Sequence, residues 1–352
     1  MDCDQLELNP RITAAVRRAK VKTVRDVMCV SGPDLQRLTG LSRSDIQQLI
    51  LAAAAASRRS RPIPALLLHR GECRGFESGL RLSAGCPLLD RLLGGGLPVG
   101  GVIELSGESG AGKTQLALQL CLSVQYPPRY GGLGSGAVYI CTEDRFPSRR
   151  LQQLIGQQVY LRSDVPPAEI GRLRFSDHVY IEHTADLVSL HTCLSRRVPL
   201  LLARGLVRLV VVDSVASLFR SEFQAADWLE RTRHLLTFSS CLHHLSHEFN
   251  TPVLCINQVT GVFSGSVGSL GPVSASVSPA LGLAWANQVL VRLMMHRLQG
   301  TVSRGDQRSA LRRLEVVFAP HLAQGGRDAA VWTEGVRGLA ETPPFRRSPL
   351  KT

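Results

Sequence analysis

A glycine-rich stretch of eight residues carries the strongest chemical signal in the chain, because it matches the phosphate-binding pattern Gly-x-x-x-x-Gly-Lys-Thr in full. Glycines in such a loop let successive backbone N–H groups point at phosphate oxygens. The lysine reaches the β- and γ-phosphates, and the threonine hydroxyl binds Mg²⁺. The pattern therefore predicts a site for ATP and Mg²⁺. Its residues are Gly107, Glu108, Ser109, Gly110, Ala111, Gly112, Lys113 and Thr114.

Three polar residues at the ends of apolar runs fit the remaining roles of an ATP-hydrolysing site. Asp213 follows the run Leu-Val-Val-Val and is the predicted second Mg²⁺ ligand beside Thr114. Glu143 follows the run Val-Tyr-Ile-Cys-Thr and is the predicted general base towards water. Gln258 ends a third run, where its amide could sense the γ-phosphate. The predicted catalytic set is Lys113, Glu143 and Gln258.

The elements around these residues predict the fold class. From residue 83 onward, short runs rich in β-branched residues alternate with longer helical stretches. This alternation is typical of an α/β protein with a mostly parallel sheet flanked by helices. Within a core of residues 83–342, the predicted strands are 102–106, 137–142, 206–213 and 253–257, and the predicted helices are 114–124 and 227–248.

A small all-α domain is predicted ahead of this core, in residues 1–56. A helix from Pro33 to Gly40 and a second helix capped by Ser42 are joined by a tight turn, which is the pattern of a helix-hairpin-helix. Such a turn can hold a DNA phosphate, and a helical packing or protein-docking module is the alternative. Residues 57–82 are predicted to be a linker, and residues 343–352 a disordered tail.

Composition favours an intracellular protein with a polyanionic partner. The 352 residues carry a formal charge of +13, with only four lysines among 41 basic residues. This excess favours nucleic acid ahead of a membrane surface. No run approaches the ~18 apolar residues of a membrane helix, and no apolar signal segment opens the chain. Nine scattered cysteines without a C-x-x-C pair favour a reducing compartment. We therefore expect DNA, and no membrane, as a partner.

The order of these motifs, together with five longer stretches, resembles the RecA/RadA family of recombinases and in particular its recombinase paralogues. The resemblance covers nearly the whole chain. It implies a RecA-like P-loop ATPase core behind a helix-hairpin-helix-like domain. The stretches are 6–12 (LELNPRI), 112–122 (GKTQLALQLCL), 137–144 (AVYICTED), 252–260 (PVLCINQVT) and 278–282 (SPALG).

The resemblance also implies a function in homologous recombination: repair of double-strand breaks and interstrand cross-links, and help with Holliday-junction processing. It implies a heterodimer with another recombinase paralogue, contact with the strand-exchange recombinase, and binding of single-stranded or branched DNA. The implied location is the nucleus, with cytoplasmic and mitochondrial pools. In filament-forming members the segment matching Ala319-Pro-His321 covers the nucleotide of the neighbouring subunit.

Two departures from the family's pattern bear on function. Filament-forming members carry Phe-x-x-Ala in the linker, whereas residues 62–65 are Pro-Ile-Pro-Ala, so we expect pairing with one partner rather than long filaments. The second DNA-facing loop, residues 260–278, contains no Lys or Arg, so we do not expect strand exchange by this chain alone. DNA contact is predicted instead for Arg220 and Arg231 in the first such loop, and for Arg304, Arg308 and Arg312 in a basic segment.

Three functional readings follow from the sequence. The leading one is an ATP-binding subunit of a heteromeric recombination complex. The second is an autonomous DNA-dependent ATPase, and the third is a scaffold whose nucleotide only stabilises an interface. The residues that would hydrolyse ATP do not by themselves set the rate of hydrolysis.

Overall fold

The computed structural model describes residues 3–6, 8–57, 65–70, 79–262 and 276–340. The described residues form two compact units, which lie within residues 1–78 and 79–352. The predicted tail, the segment 62–64 and the middle of the second loop, residues 263–275, lie outside the described residues.

Capping residues set the helix boundaries of the first unit. Gly40, at φ +69°, ends one helix in the left-handed conformation, and the Ser42 hydroxyl accepts the Asp45 N–H at 3.2 Å to begin the next. This pair of helices is the predicted helix-hairpin-helix, and Leu35 and Leu49 are fully buried beneath it. The helices are α1 (Pro10–Arg18), α2 (Val24–Cys29), α3 (Gly32–Thr39), α4 (Arg43–Ser57) and α5 (Ala65–His69).

A nine-stranded sheet forms the second unit, with two short strand pairs beside it. The strands are β1 (Arg81–Leu82), β2 (Leu97–Pro98), β3 (Val102–Gly107), β4 (Gly136–Cys141), β5 (Val179–His183), β6 (Val207–Asp213), β7 (Val253–Asn257), β8 (Val259–Val262), β9 (Ser276–Pro279), β10 (Val291–Arg304), β11 (Gln307–Phe318), β12 (Gly325–Trp332) and β13 (Gly335–Gly338). The order across the nine-stranded sheet is β13-β12-β11-β10-β3-β7-β6-β4-β5. The six strands β10, β3, β7, β6, β4 and β5 run parallel to one another. At the other end of the sheet, β10 pairs antiparallel with β11, β11 with β12, and β12 with β13.

Helices cover both faces of the central strands, which explains why those strands are continuous apolar runs. On β6, Leu209 and Val211 belong to one core cluster, and Val210 and Val212 belong to the other. The helices of this unit are α6 (Pro87–Leu92), α7 (Lys113–Ser123), α8 (Ser148–Gly156), α9 (Gln158–Leu161), α10 (Pro167–Arg172), α11 (Leu187–Thr192), α12 (Val198–Ala203), α13 (Val215–Ser221), α14 (Trp228–Phe249) and α15 (Gly282–Ala286). The predicted α/β class with a mostly parallel sheet is confirmed.

Candidate nucleotide site

The predicted phosphate-binding loop, residues 107–114, connects β3 to α7 and is closed against β10. Gly107 has φ +154°, and a Cβ on it would stand 2.2 Å from the Met295 carbonyl oxygen. Gly112 has φ +107°, and its Cβ would stand 3.2 Å from the Met295 Cε. Only glycine fits both positions, so the loop's glycines are required by its conformation as well as by its chemistry.

Lys113 lies inside the loop that it is predicted to serve. Its Nζ donates hydrogen bonds to the carbonyl oxygens of Gly107 at 2.7 Å and Glu108 at 2.8 Å. Burial lowers the pKa of Lys113, and the nearby carboxylates of Asp213 and Glu143 act in the opposite direction. The ammonium is thus held at the loop by two neutral acceptors, which a phosphate could replace.

Thr114 and Asp213 meet as predicted for a pair of magnesium ligands. The Thr114 hydroxyl donates to Asp213 Oδ2 at 3.0 Å, and the Tyr139 hydroxyl donates to the same oxygen at 2.5 Å. Burial raises the pKa of Asp213, whereas the hydrogen bonds from Tyr139 and Thr114 and the positive charge of Lys113 lower it. Two hard oxygen donors side by side fit Mg²⁺, which prefers oxygen ligands and would neutralise phosphate charge.

Glu143 and Gln258 form a direct contact at the carboxyl edge of the parallel strands. Gln258 Nε2 donates to Glu143 Oε1 at 2.5 Å, and Arg220 Nη1 donates to Gln258 Oε1 at 2.7 Å. Both ends of the Gln258 amide are therefore occupied, and its orientation is fixed. The sequence predicts that Arg220 contacts DNA. In the structure its side chain is exposed and is linked to the predicted general base, Glu143, through the Gln258 amide.

Two residues at this site were not predicted from the sequence. Tyr139 could have been found, because a tyrosine in an aliphatic strand needs a partner for its buried hydroxyl. Arg150 had no local signal: it follows another arginine on α8. Its guanidinium donates to Gln115 Oε1 at 2.6 Å and to the Trp332 carbonyl oxygen at 2.7 Å, so it connects α7 to the end of β12.

The predicted DNA-binding arginines lie in different places. Arg308 and Arg312 line the same cleft as Lys113. Arg304 forms an ion pair with the buried Glu334, and its guanidinium lies 5.2 Å from the centre of the Trp332 ring. Arg231 is half-buried, and among the described residues its Nε has no hydrogen-bond partner. His321, in the segment predicted to cover a neighbour's nucleotide, is exposed beside Arg81.

The cleft that these residues line has a volume of about 1240 Å³. It is lined by Lys113, Thr114, Asp213, Glu143 and Gln258 and by every other residue of the predicted loop except Ala111, which is fully buried. The structure thus brings the predicted metal and catalytic residues together with seven of the eight predicted nucleotide-binding residues. The glycine cradle fits phosphates, and the carboxylate of Glu143 lines the same cleft. Within the described residues, no cluster of three His, Cys, Asp or Glu side chains could hold a metal, and no helix is long and apolar enough to cross a membrane.

Comparison with known proteins gives two family matches. Residues 77–338 match the Rad51 family, and residues 3–57 match the XRCC3/RpoA-like helix-hairpin-helix domain. The DNA repair protein XRCC3 of Mus musculus is 52% identical over 349 residues, which cover 98% of this chain and 100% of the relative. The protein of the same name from Bos taurus is 52% identical over 97% of this chain and 99% of its own length. The DNA repair protein rhp57 of Schizosaccharomyces pombe is 29% identical over 90% of this chain and 93% of its own length.

Proposed function

This chain belongs to the Rad51 family, and from that premise we propose that it is an ATP-binding recombinase paralogue that repairs DNA as one subunit of a heteromeric complex. Within the complex it binds single-stranded or branched DNA, assists the strand-exchange recombinase and takes part in Holliday-junction processing. Its place of action is the nucleus, with further pools in the cytoplasm and mitochondrion.

One observation carries the nucleotide part of this proposal. Lys113 lies inside the glycine cradle while Thr114 contacts Asp213, and this combination of an ammonium, backbone donors and paired oxygen ligands suits a magnesium-bound triphosphate. Glu143, held by Gln258, supplies a base for water. Bound Mg²⁺ would neutralise phosphate charge, while the chain's own residues bind, orient and accept the proton.

The assisting role follows from charge. Residues 260–278 contain no Lys or Arg, so this segment cannot form the electrostatic contacts that a single strand needs. The linker residues 62–65 lack the phenylalanine with which filament-forming members dock on the next subunit. Both features favour a specific heteromeric partner over a self-assembled filament.

The test uses the full chain, co-expressed with a second Rad51-family paralogue, as wild type and as Lys113→Ala. We expect the variant to bind a fluorescent ATP analogue roughly 100-fold more weakly, because it loses a charge-assisted contact to phosphate. Capture of the second paralogue should persist. We expect ATP to release that partner from wild type, and this release should be lost in the variant. Lys22→Ala, at a lysine of the first unit, is the matched control and should behave as wild type.

Other results favour the alternative functions. Rapid ATP turnover on DNA by the chain alone, without a partner, would identify an autonomous ATPase. Full repair function of Lys113→Ala in cells would identify a scaffold. Equal nucleotide affinity in Lys113→Ala and wild type would refute the proposed site.

A further inference from the structure

The hairpin of β10 and β11 brings two arginines onto the phosphate-binding loop. Arg297 and Arg312 are direct register partners on these antiparallel strands. Arg312 Nη2 lies 3.4 Å from the Gly110 carbonyl oxygen, and Arg297 Nη1 lies 3.8 Å from the position that a Cβ on Gly110 would occupy. Arg312 Nε also lies 3.3 Å from the corresponding position on Gly112. Two guanidinium groups therefore converge on one turn of the loop.

Among the described residues, no carboxylate forms an ion pair with either of these two guanidinium groups. Arg312 Nη1 donates to the Ser309 hydroxyl at 3.0 Å and to the Ala310 carbonyl oxygen at 2.7 Å, and both acceptors are neutral. Arg312 Nε is buried, and no hydrogen-bond partner for it exists in the described part of the chain. Burial lowers the pKa of Arg312, and the charge of Arg297 lowers it further. Like charges on directly opposed strand residues destabilise a sheet unless an anion lies between them.

Two carboxylates beside this hairpin, those of Glu108 and Glu315, are engaged with other groups. Glu108 Oε2 accepts the backbone N–H of Arg297 at 3.1 Å, and Glu108 Oε1 lies 3.9 Å from His296 Nδ1. Glu315 Oε2 lies 3.4 Å from His296 Nε2. In the described ranges neither Glu108 nor Glu315 forms an ion pair with the guanidinium of Arg297 or Arg312. The pair thus has the electrostatics of an anion site beside a loop that itself favours anions.

We propose that Arg312, reinforced by Arg297, binds phosphate of the nucleotide held by Lys113 of the same chain. The inference rests on the proposed ATP site and adds own-chain arginines to it. A nucleic-acid phosphate has the same chemistry and was the ligand expected from the sequence. The nucleotide is favoured because Arg312 contacts Gly110 and lines the cleft that contains Lys113 and Thr114.

The experiment measures the Kd of a fluorescent ATP analogue for the full chain in complex with its paralogue. Arg312→Gln keeps hydrogen-bonding capacity but removes the charge, and we expect its Kd to rise about 10-fold. Arg312→Lys keeps the charge and should remain within about 3-fold of wild type. Arg297→Gln should raise the Kd by about 3-fold, since its effect acts through the local potential.

Arg313→Gln is the matched control, because the neighbouring Arg313 pairs with Asp328 at 2.9 Å and does not line the cleft. Its Kd should equal that of wild type. Equal values for Arg312→Gln and Arg313→Gln would overturn the inference, as would weakened single-strand DNA binding with unchanged nucleotide affinity. If Arg312→Gln fails to show a wild-type thermal transition, Arg312→Lys and Arg297→Gln carry the test. Failure of the wild-type chain to bind nucleotide would instead refute the proposed function.

Discussion

The two halves of the nine-stranded sheet contribute opposite chemistry to the same cleft. On one side of β3, the parallel strands β7, β6 and β4 carry polar residues to the cleft at their carboxyl ends. Gln258 follows β7, Asp213 is the last residue of β6, and Glu143 comes two residues after β4. On the other side, the antiparallel strands β10 and β11 bring arginines to the phosphate-binding loop. The acidic half suits metal and water, and the basic half suits phosphate.

This difference explains which site residues could be predicted. The carboxyl ends of parallel strands lie at one edge of a sheet, so an apolar run followed by a polar residue is enough to place Asp213 and Glu143. In a hairpin, by contrast, a shift of one residue in register moves a side chain to the other face. Arg312 and Arg313 are adjacent in sequence, yet only Arg312 lines the cleft. The sequence alone could not distinguish them.

The fold shows the same contrast. The predicted strand 102–106 and helix 114–124 agree with β3 and α7 to within one residue, because buried parallel strands are continuous apolar runs. The strands β10 to β13 were not predicted individually. On β11, half-buried residues alternate irregularly with buried ones, so no clean period marks the strand. The contact of Arg150 with the end of β12 could not be predicted either, because it depends on the position of these antiparallel strands.

The largest effect is expected on stability, at β3, where the two halves of the sheet join. Glu104 on β3 is fully buried; its Oε1 accepts from Asn257 at 2.6 Å and from Trp285 at 2.9 Å, and its Oε2 accepts from Arg292 of β10 at 2.5 Å. Glu104→Gln should lower the free energy of unfolding by about 3–5 kcal/mol, because it leaves Arg292 without its counter-charge. Urea denaturation measures this loss.

Glu315→Gln is the control for this junction. Glu315 is a partly exposed glutamate of β11 that faces His296, and its replacement should change the free energy of unfolding by less than about 0.5 kcal/mol. A loss of free energy of unfolding in Glu104→Gln that is as small as the loss in Glu315→Gln would show that the two halves are not joined through Glu104.

A smaller effect is expected within the acidic half. Glu143→Gln keeps an oxygen that can accept from Gln258, but it removes the base that takes a proton from water. ATP hydrolysis by the heteromeric complex on DNA should fall about 100-fold, while the Kd for nucleotide stays within about 2-fold of wild type. Single-turnover phosphate release and analogue binding measure the two quantities separately.

Asp144→Asn tests whether the loss of ATP hydrolysis is specific to Glu143 or follows from the removal of any negative charge at the cleft. Asp144 is the next residue, lines the same cleft and does not contact Gln258 through any hydrogen bond between the described residues. Its hydrolysis rate should stay within about 3-fold of wild type. A larger loss in Asp144→Asn than in Glu143→Gln would show that Asp144, and not Glu143, is the base.

The smallest effect is expected at the outer end of the basic half, at Arg304. Glu334 pairs with this guanidinium and also with Arg337 Nε at 3.0 Å, so it offsets part of the charge of Arg304. Because the guanidinium is held there beside the Trp332 ring, we expect Arg304 to contribute little to contact with a DNA phosphate. Arg304→Ala should weaken DNA binding by less than about 2-fold, with a change of less than about 1 in the slope of log affinity against log salt. Its main consequence should be a loss of about 1 kcal/mol in the free energy of unfolding, since an ion pair and a ring contact are removed at a half-exposed position.

Arg308→Ala is the comparison, because Arg308 is exposed at the cleft and forms no ion pair within the described residues. If Arg304→Ala lowers the slope by a full unit and Arg308→Ala leaves it unchanged, then Arg304 contacts a DNA phosphate and Arg308 does not. That result would contradict the expectation that the ion pair with Glu334 keeps Arg304 from binding DNA.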